Sequence, residues 1–270
     1  MIIRYWRKYR WIILICLVLG TIILLTIILF CTSVQFTNVS EQNLPKFIKA
    51  NIVDPQLVTK VSKFRSAAGH SNPGWPETCR SMKHYMTVYD PNKKVQQNFN
   101  RNETPTAEYA IDVFSPVDGR LMKSGTGEGD DQLNISVNGH PGFSIRLEHV
   151  HLDSSIGTMF AQVAAGEKIA TVWNNQVFDV SVYYHYFRGD ELFSYFEVLP
   201  DTLFAAWQAE GATNVAEFIF TREYRDAHPF VCDNSSPMTP NFLDAAGEVM
   251  EDWNPDDFVQ LKPNHNPSGN

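Results

Sequence analysis

The residues best equipped for chemistry are histidines. In Glu148-His149-Val150-His151 two imidazoles alternate along the chain. Alternate residues of a strand share a face, so both rings would project from one side. Imidazoles suit a divalent metal, and a catalytic zinc takes three protein ligands with a fourth position left for water. The plainer reading, and the preferred one, hydrogen-bonds one ring in a cleft and leaves the other on the surface. His84 lies in the segment CRSMKHY and reads equally as a structural or a functional residue.

The elements that must position these rings are strands. From Tyr109 the hydrophobic period changes to two: Tyr109–Phe114 leads through a turn to Arg120–Lys123, Leu133–Val137 and Phe143–Leu147 alternate cleanly, Val177–Tyr183 follows, and Phe193–Leu199 offers another. Short strands separated by Gly and Asp turns predict an antiparallel sandwich or barrel. In Ser115-Pro116-Val117-Asp118-Gly119 the proline fixes one backbone angle and the glycine permits a positive one, which predicts a tight hairpin. VAAGEKIA at 163–170 reads as a strand, a glycine turn and a returning strand. Residues 202–228 read as helices, and the polar stretch 90–108 as an exposed connector. The fold class expected is mainly β with accessory helices.

Three segments, SPVDGRLMKSG, FSIRLEHVHL and VAAGEKIATV, together resemble the β-sheet core of the lysostaphin-like (M23) zinc peptidases, which are built on the duplicated hybrid motif. The likeness spans roughly residues 64–185. ETCRSMKHY and SYFEVLPD also resemble segments of bacterial exported proteins that share this core. Carried over position by position, the resemblance implies a first metal ligand at His70. It places Gly74 where the family has an aspartate ligand, and His149 where it has a catalytic histidine that is not a ligand. Asp179 and Ser181 fall on the family's final His-x-His. Two of the three expected ligands are therefore missing, and the resemblance implies a degenerate member. Its cleft, lined by His70, His149, His151 and Asp179, would hold a peptidoglycan fragment or another glycan, with no cofactor. The competing expectation is an active metallohydrolase whose zinc is held by a rearranged set including His70 and Asp179, with His149 as the catalytic histidine. Sugar-phosphotransferase IIA domains, biotinyl and lipoyl carriers and phosphatidylserine decarboxylases share parts of this skeleton. However, an exported domain has no access to the cytoplasmic phosphate donor of the first, and the carriers' lysine between two methionines and the decarboxylases' Gly-Ser-Thr-type cleavage site have no good counterpart here.

Trp11–Phe30 reads WIILICLVLGTIILLTIILF without one charge. About 20 apolar residues in a helix span a bilayer core. The run is long for a signal peptide, Phe30-Cys31-Thr32-Ser33 is a poor cleavage site, and a bulky Phe before Cys31 argues against lipid attachment. An uncleaved anchor over 11–32 is expected. Arg4, Arg7, Lys8 and Arg10 precede the run and no charge follows it until Glu41, so residues 1–10 should be cytoplasmic and the rest periplasmic or extracellular. The remaining organisation expected is a juxtamembrane stalk over 33–63 with a short helix that Ile52–Lys63 continues, a β-rich domain over 64–261, and a disordered tail over 262–270.

Setting those four basic residues aside leaves 18 basic against 30 acidic side chains, a net of about −12. Such a surface repels phosphate backbones, which excludes nucleic acid as a partner. Two of the four cysteines, Cys79 and Cys232, fall in the β-rich domain, and an oxidising compartment favours pairing them.

Overall fold

The structure, a computed structural model, describes residues 12, 14–25, 39–98, 100–126, 129–186, 189–233, 239–250 and 254–261. The chain divides into two units, Met1–Leu44 and Pro45–Asn270. In the first, residues 12 and 14–25 are helical with exposed side chains, and the 3-10 turn Glu41–Asn43 is capped by Ser40. Among the described residues no helix is long and apolar enough to cross a membrane. The rest of the apolar run lies outside them, as do residues 1–10 and the tail from 262.

The second unit is mainly antiparallel β. Its strands are β1 Val58–Ser62, β2 His84–Val88, β3 Ala110–Phe114, β4 Gly119–Thr126, β5 Asp131–Val137, β6 Phe143–Leu152, β7 Ala161–Val163, β8 Lys168–Trp173, β9 Val177–Tyr186, β10 Gly189–Phe193, β11 Val231–Cys232, β12 Phe242–Leu243 and β13 Phe258–Gln260. Among the described residues eleven of these form one sheet. Its main path runs β13-β1-β2-β9-β6-β5-β4-β7, with β10 on β9 and the β3–β8 pair joined to the end of β6. The helices are short: Asp201–Ala209 and Arg222–Ala227.

Four of the expected features need correction. The stalk ends sooner than residue 63, because Phe47, Ile48, Ile52 and Val53 are buried in the globular unit. Ile52–Lys63 does not continue a helix: after the 3-10 turn Pro55–Leu57, the β-branched run Val58-Thr59-Lys60-Val61 becomes β1. SPVDG is not a hairpin, since β3 pairs with β8 while β4 pairs with β5 and β7. Gly119 is there for close approach, because an added Cβ would sit 2.4 Å from the Ser136 carbonyl oxygen. Phe193–Leu199 ends a strand rather than forming one, and Tyr195–Glu197 is a 3-10 turn capped by Ser194.

The centre of the sheet has one apolar face and one polar face. Val180 stands opposite Leu147, Val182 opposite Ile145, and Ile145 in turn opposite Ile135. Beside Val180, its register partner His84 sets its ring edge-on to Phe196, which stacks on Phe218 at 3.9 Å with Trp207 at 5.1 Å. The alternate residues, Glu148 of β6 and Asp179 of β9, pair on the other face, where Tyr85 of β2 is also Asp179's register partner. Period-two alternation thus delivers the functional candidates to one surface.

Candidate functional site

The polar face converges on an ammonium group. Lys83, immediately before β2, is wholly buried, and its Nζ lies 2.7 Å from Asp179 Oδ2, 2.9 Å from Glu148 Oε2 and 3.4 Å from His70 Nε2. It also stands over the Tyr85 ring at 4.8 Å. Asp179 is equally buried, and the ammonium approaches it closely but at an angle that makes no well-directed hydrogen bond. Burial pushes the Asp179 carboxyl up to about 6 against the attraction of Lys83, with Glu148 adding repulsion. Burial alone would lower the Lys83 pKa, yet Asp179, Tyr85 and Glu148 hold it well above the ordinary range. Glu148 is lowered, because Lys83 outweighs its burial. Its other oxygen accepts from Gln132 Nε2 at 2.7 Å.

His149 owes its position to a bulge. Asp131 pairs with Val150 and Leu133 with Leu147, so β6 carries one residue more than β5 across this interval. His149 takes the left-handed conformation, φ 63°, within it. Bulges re-aim side chains and recur beside functional sites. The ring points Nδ1 at Asp130 Oδ2, 3.2 Å away, and Nε2 toward Asp179 Oδ2 at 3.9 Å. Burial opposes its charge, but the Asp130 hydrogen bond and the Asp179 charge together raise its pKa.

His70 arrives on the segment between β1 and β2. Gly69 sits at φ +68°, where an added Cβ would fall 2.1 Å from the Tyr85 hydroxyl, so only glycine fits. The His70 Nδ1 proton is assigned by its network: it donates to the Ser71 carbonyl at 2.9 Å, leaving Nε2 to accept from Lys83. Burial and the Lys83 charge lower its pKa. The segment is pinned by Glu77, which accepts Arg65 Nε and Nη2, each at 2.8 Å, and Arg80 Nη1 at 2.6 Å. Burial would raise Glu77, yet the surrounding guanidiniums hold it low. A disulfide closes the same segment: Cys79 and Cys232 are bonded, with Cα atoms 5.7 Å apart.

Above this centre opens a cleft of about 450 Å³. His70, Glu148, His149 and Tyr85 form its floor, and Arg101, Asp130, Gln132 and Asn241 are among the residues around it. Of the residues expected to line it, His70 and His149 do, and Asp179 lies sealed beneath. His151 does not. Past the bulge β6 leaves β9 and pairs with β8, placing His151 opposite Thr171, so the simple alternation that put both histidines on one face fails there. His84 is structural: Nδ1 donates to the Ser62 carbonyl at 2.7 Å, Nε2 accepts from Ser194 Oγ at 2.8 Å, and the ring packs edge-on to Phe196.

Sequence reasoning missed Lys83, Glu148 and Asp130. The signal available was a lysine close to Met82, Tyr85 and Met86, a poor place for a charge without partners. It also missed a chain in which Ser144 Oγ donates to His185 Nε2 and His185 Nδ1 donates to Asp190 Oδ1, both at 2.8 Å. That order matches nucleophile, base and orienting acid. However, none of the three lines the cleft, and the His185 and Asp190 side chains are about half exposed.

The zinc that the resemblance implies does not fit these residues as they stand. Zinc binds nitrogen and oxygen at about 2.0–2.2 Å. Here His70, Glu148 and Asp179 are spread around a nitrogen that is itself cationic. Among the described residues no group of three His, Cys, Asp or Glu side chains is placed to hold a metal ion. Compared with known proteins, the chain matches no family model, no curated protein and no solved structure.

Proposed function

We propose that this is a single-pass membrane protein of the cell envelope whose globular unit is a catalytically degenerate relative of the M23 peptidases, built on the duplicated hybrid motif, and that it binds a peptidoglycan fragment or related glycan in the cleft. The observation that carries the reading is the Lys83 ammonium among the residues that would have to be ligands. With the ammonium standing where a metal would have to sit, no metal-bound water forms there, and without one the family's nucleophile is missing. The cleft suits binding instead. Arg101 and Gln132 are donors, Asp130 and Glu148 acceptors, and Asn241 offers both, arranged around the aromatic Tyr85. Such convergent polar groups hydrogen-bond sugar hydroxyls and peptide amides. The charge-free run Trp11–Phe30 and the basic residues before it support the anchor, with the amino terminus cytoplasmic and the globular unit periplasmic or extracellular.

Two measurements test this. Protease added outside intact cells or spheroplasts should digest the globular unit and leave a short amino-terminal fragment; protection of the whole unit would refute the topology. Calorimetric titration of soluble peptidoglycan fragments into the protein should show saturable binding, weakened at least tenfold by Asp130→Ala, with no cleavage of cross-links. Absence of binding would remove the ligand. The competing metallohydrolase reading predicts about one zinc per chain, with zinc and turnover both lost in His70→Ala.

A further inference from the structure

We propose that Lys83 is a built-in substitute for a metal ion, and that a short neutral side chain at this position opens a divalent-metal site formed by His70, Glu148 and Asp179. The inference rests on the degenerate reading above and deepens it, because it names what closed the site.

The geometry is that of a coordination shell around a nitrogen. Three donors from three separate parts of the chain, the 69–71 turn, β6 and β9, surround Lys83 Nζ at 3.4, 2.9 and 2.7 Å. One imidazole and two carboxylates form a donor set that divalent first-row metals accept. The His70 tautomer is the one a ligand needs, since Nδ1 is engaged by the Ser71 carbonyl and Nε2 carries the free lone pair aimed at the centre. Hydrogen-bonding the far nitrogen to a backbone carbonyl is how proteins orient metal-binding imidazoles. Glu148 is oriented similarly by Gln132.

Charge balance points the same way. Asp179 has both oxygens buried and the ammonium as its near counter-charge, while the His149 ring stands farther off at 3.9 Å. Removing Lys83 strips Asp179 and Glu148 of their nearest cation and leaves them the more distant His149 ring and, for Glu148, Arg146, an imbalance that proteins avoid. A divalent ion would neutralise both carboxylates, where lysine neutralises one. The donors must close in by roughly 1 Å to reach metal-ligand distances, and Lys83→Ala removes the ammonium that now stands among them.

The test compares the full-length protein and its Lys83→Ala variant, each dialysed against zinc, for metal content and melting temperature. Wild type should retain no stoichiometric zinc and show no thermal shift with it. Lys83→Ala should melt roughly 10 °C lower without metal, retain about one zinc per chain, and recover most of the lost melting temperature. Both gains should vanish in Lys83→Ala/His70→Ala. A Lys83→Ala protein that neither retains zinc nor responds to it overturns the inference and leaves the degenerate reading intact. Wild type holding one zinc per chain overturns both. Should Lys83→Ala be recovered unfolded, refolding it with and without zinc decides: a native fold only with the metal supports the inference, and no recovery with any divalent metal sinks it.

Discussion

Lys83 and Asp179 form an ion pair in which neither side chain is reached by solvent, with Nζ 2.7 Å from Oδ2. Two charges taken out of water are stable only together, so removing one is far worse than removing both. Lys83→Met should therefore cost about 3–5 kcal/mol in urea unfolding. Lys83→Met/Asp179→Leu should recover at least half of that, because the Glu148 left behind is partly exposed and keeps Arg146 and His149 nearby. A loss below about 1 kcal/mol in the single variant would show that the pair is not the electrostatic centre described.

His84 makes stability depend on acid. Burial depresses its pKa to about 4, against the partial opposition of its bond to Ser62, whereas the unfolded chain titrates near 6.5. A depressed folded value means that the native state binds fewer protons. Its contribution is complete above about pH 6.5 and drains away as pH falls toward 4. Between pH 7.5 and 4.5 the unfolding free energy should fall by about 2–3 kcal/mol on this account. His84→Gln, less stable at neutral pH, should show a visibly flatter profile between the same limits, and an unchanged slope would exclude His84 as the group responsible.

The disulfide joins residues 153 positions apart and ties the segment carrying His70 to β11. Closing so long a loop restricts the unfolded chain strongly, although the entropic account is model-dependent. Cys79→Ala/Cys232→Ala should lower stability by about 2–5 kcal/mol. Non-reducing mass spectrometry of peptides should find Cys79 and Cys232 linked, and free thiols at both positions in protein from the oxidising compartment would contradict the bond.

Gly69 sets the aim of His70. Gly69→Ala places a methyl group against Tyr85 and forces a left-handed alanine, at about 2 kcal/mol or more. Ligand affinity should fall with stability, since the turn that presents His70 must shift. Gly69→Ala/Tyr85→Phe should regain only part of the loss, because ring carbons at 2.4 and 2.7 Å still meet the methyl group and the backbone penalty remains. Full-strength binding by Gly69→Ala would show that the His70 turn does not shape the cleft.

The sequence by itself marked five of the strands, starting each within two residues of its true position but ending β4, β6 and β9 three to five residues early, because a side-chain period of two follows from backbone geometry alone. The helices after Asp201 were legible in the same way, and oxidising chemistry named the one cysteine pair. His70 and His149, singled out through the resemblance, both line the cleft. Pairing was not. Ser115–Gly119 and 163–170 look like hairpins locally, but β3 and β8 come together across 50 residues, and no local signal encodes that partner. His151 was misplaced because a single extra residue at the β6 bulge changes which face the next side chain meets. Lys83 was invisible for a stronger reason. Its role exists only where the 69–71 turn, β6 and β9 meet, and a buried charge is explained solely by the partners that tertiary structure brings to it.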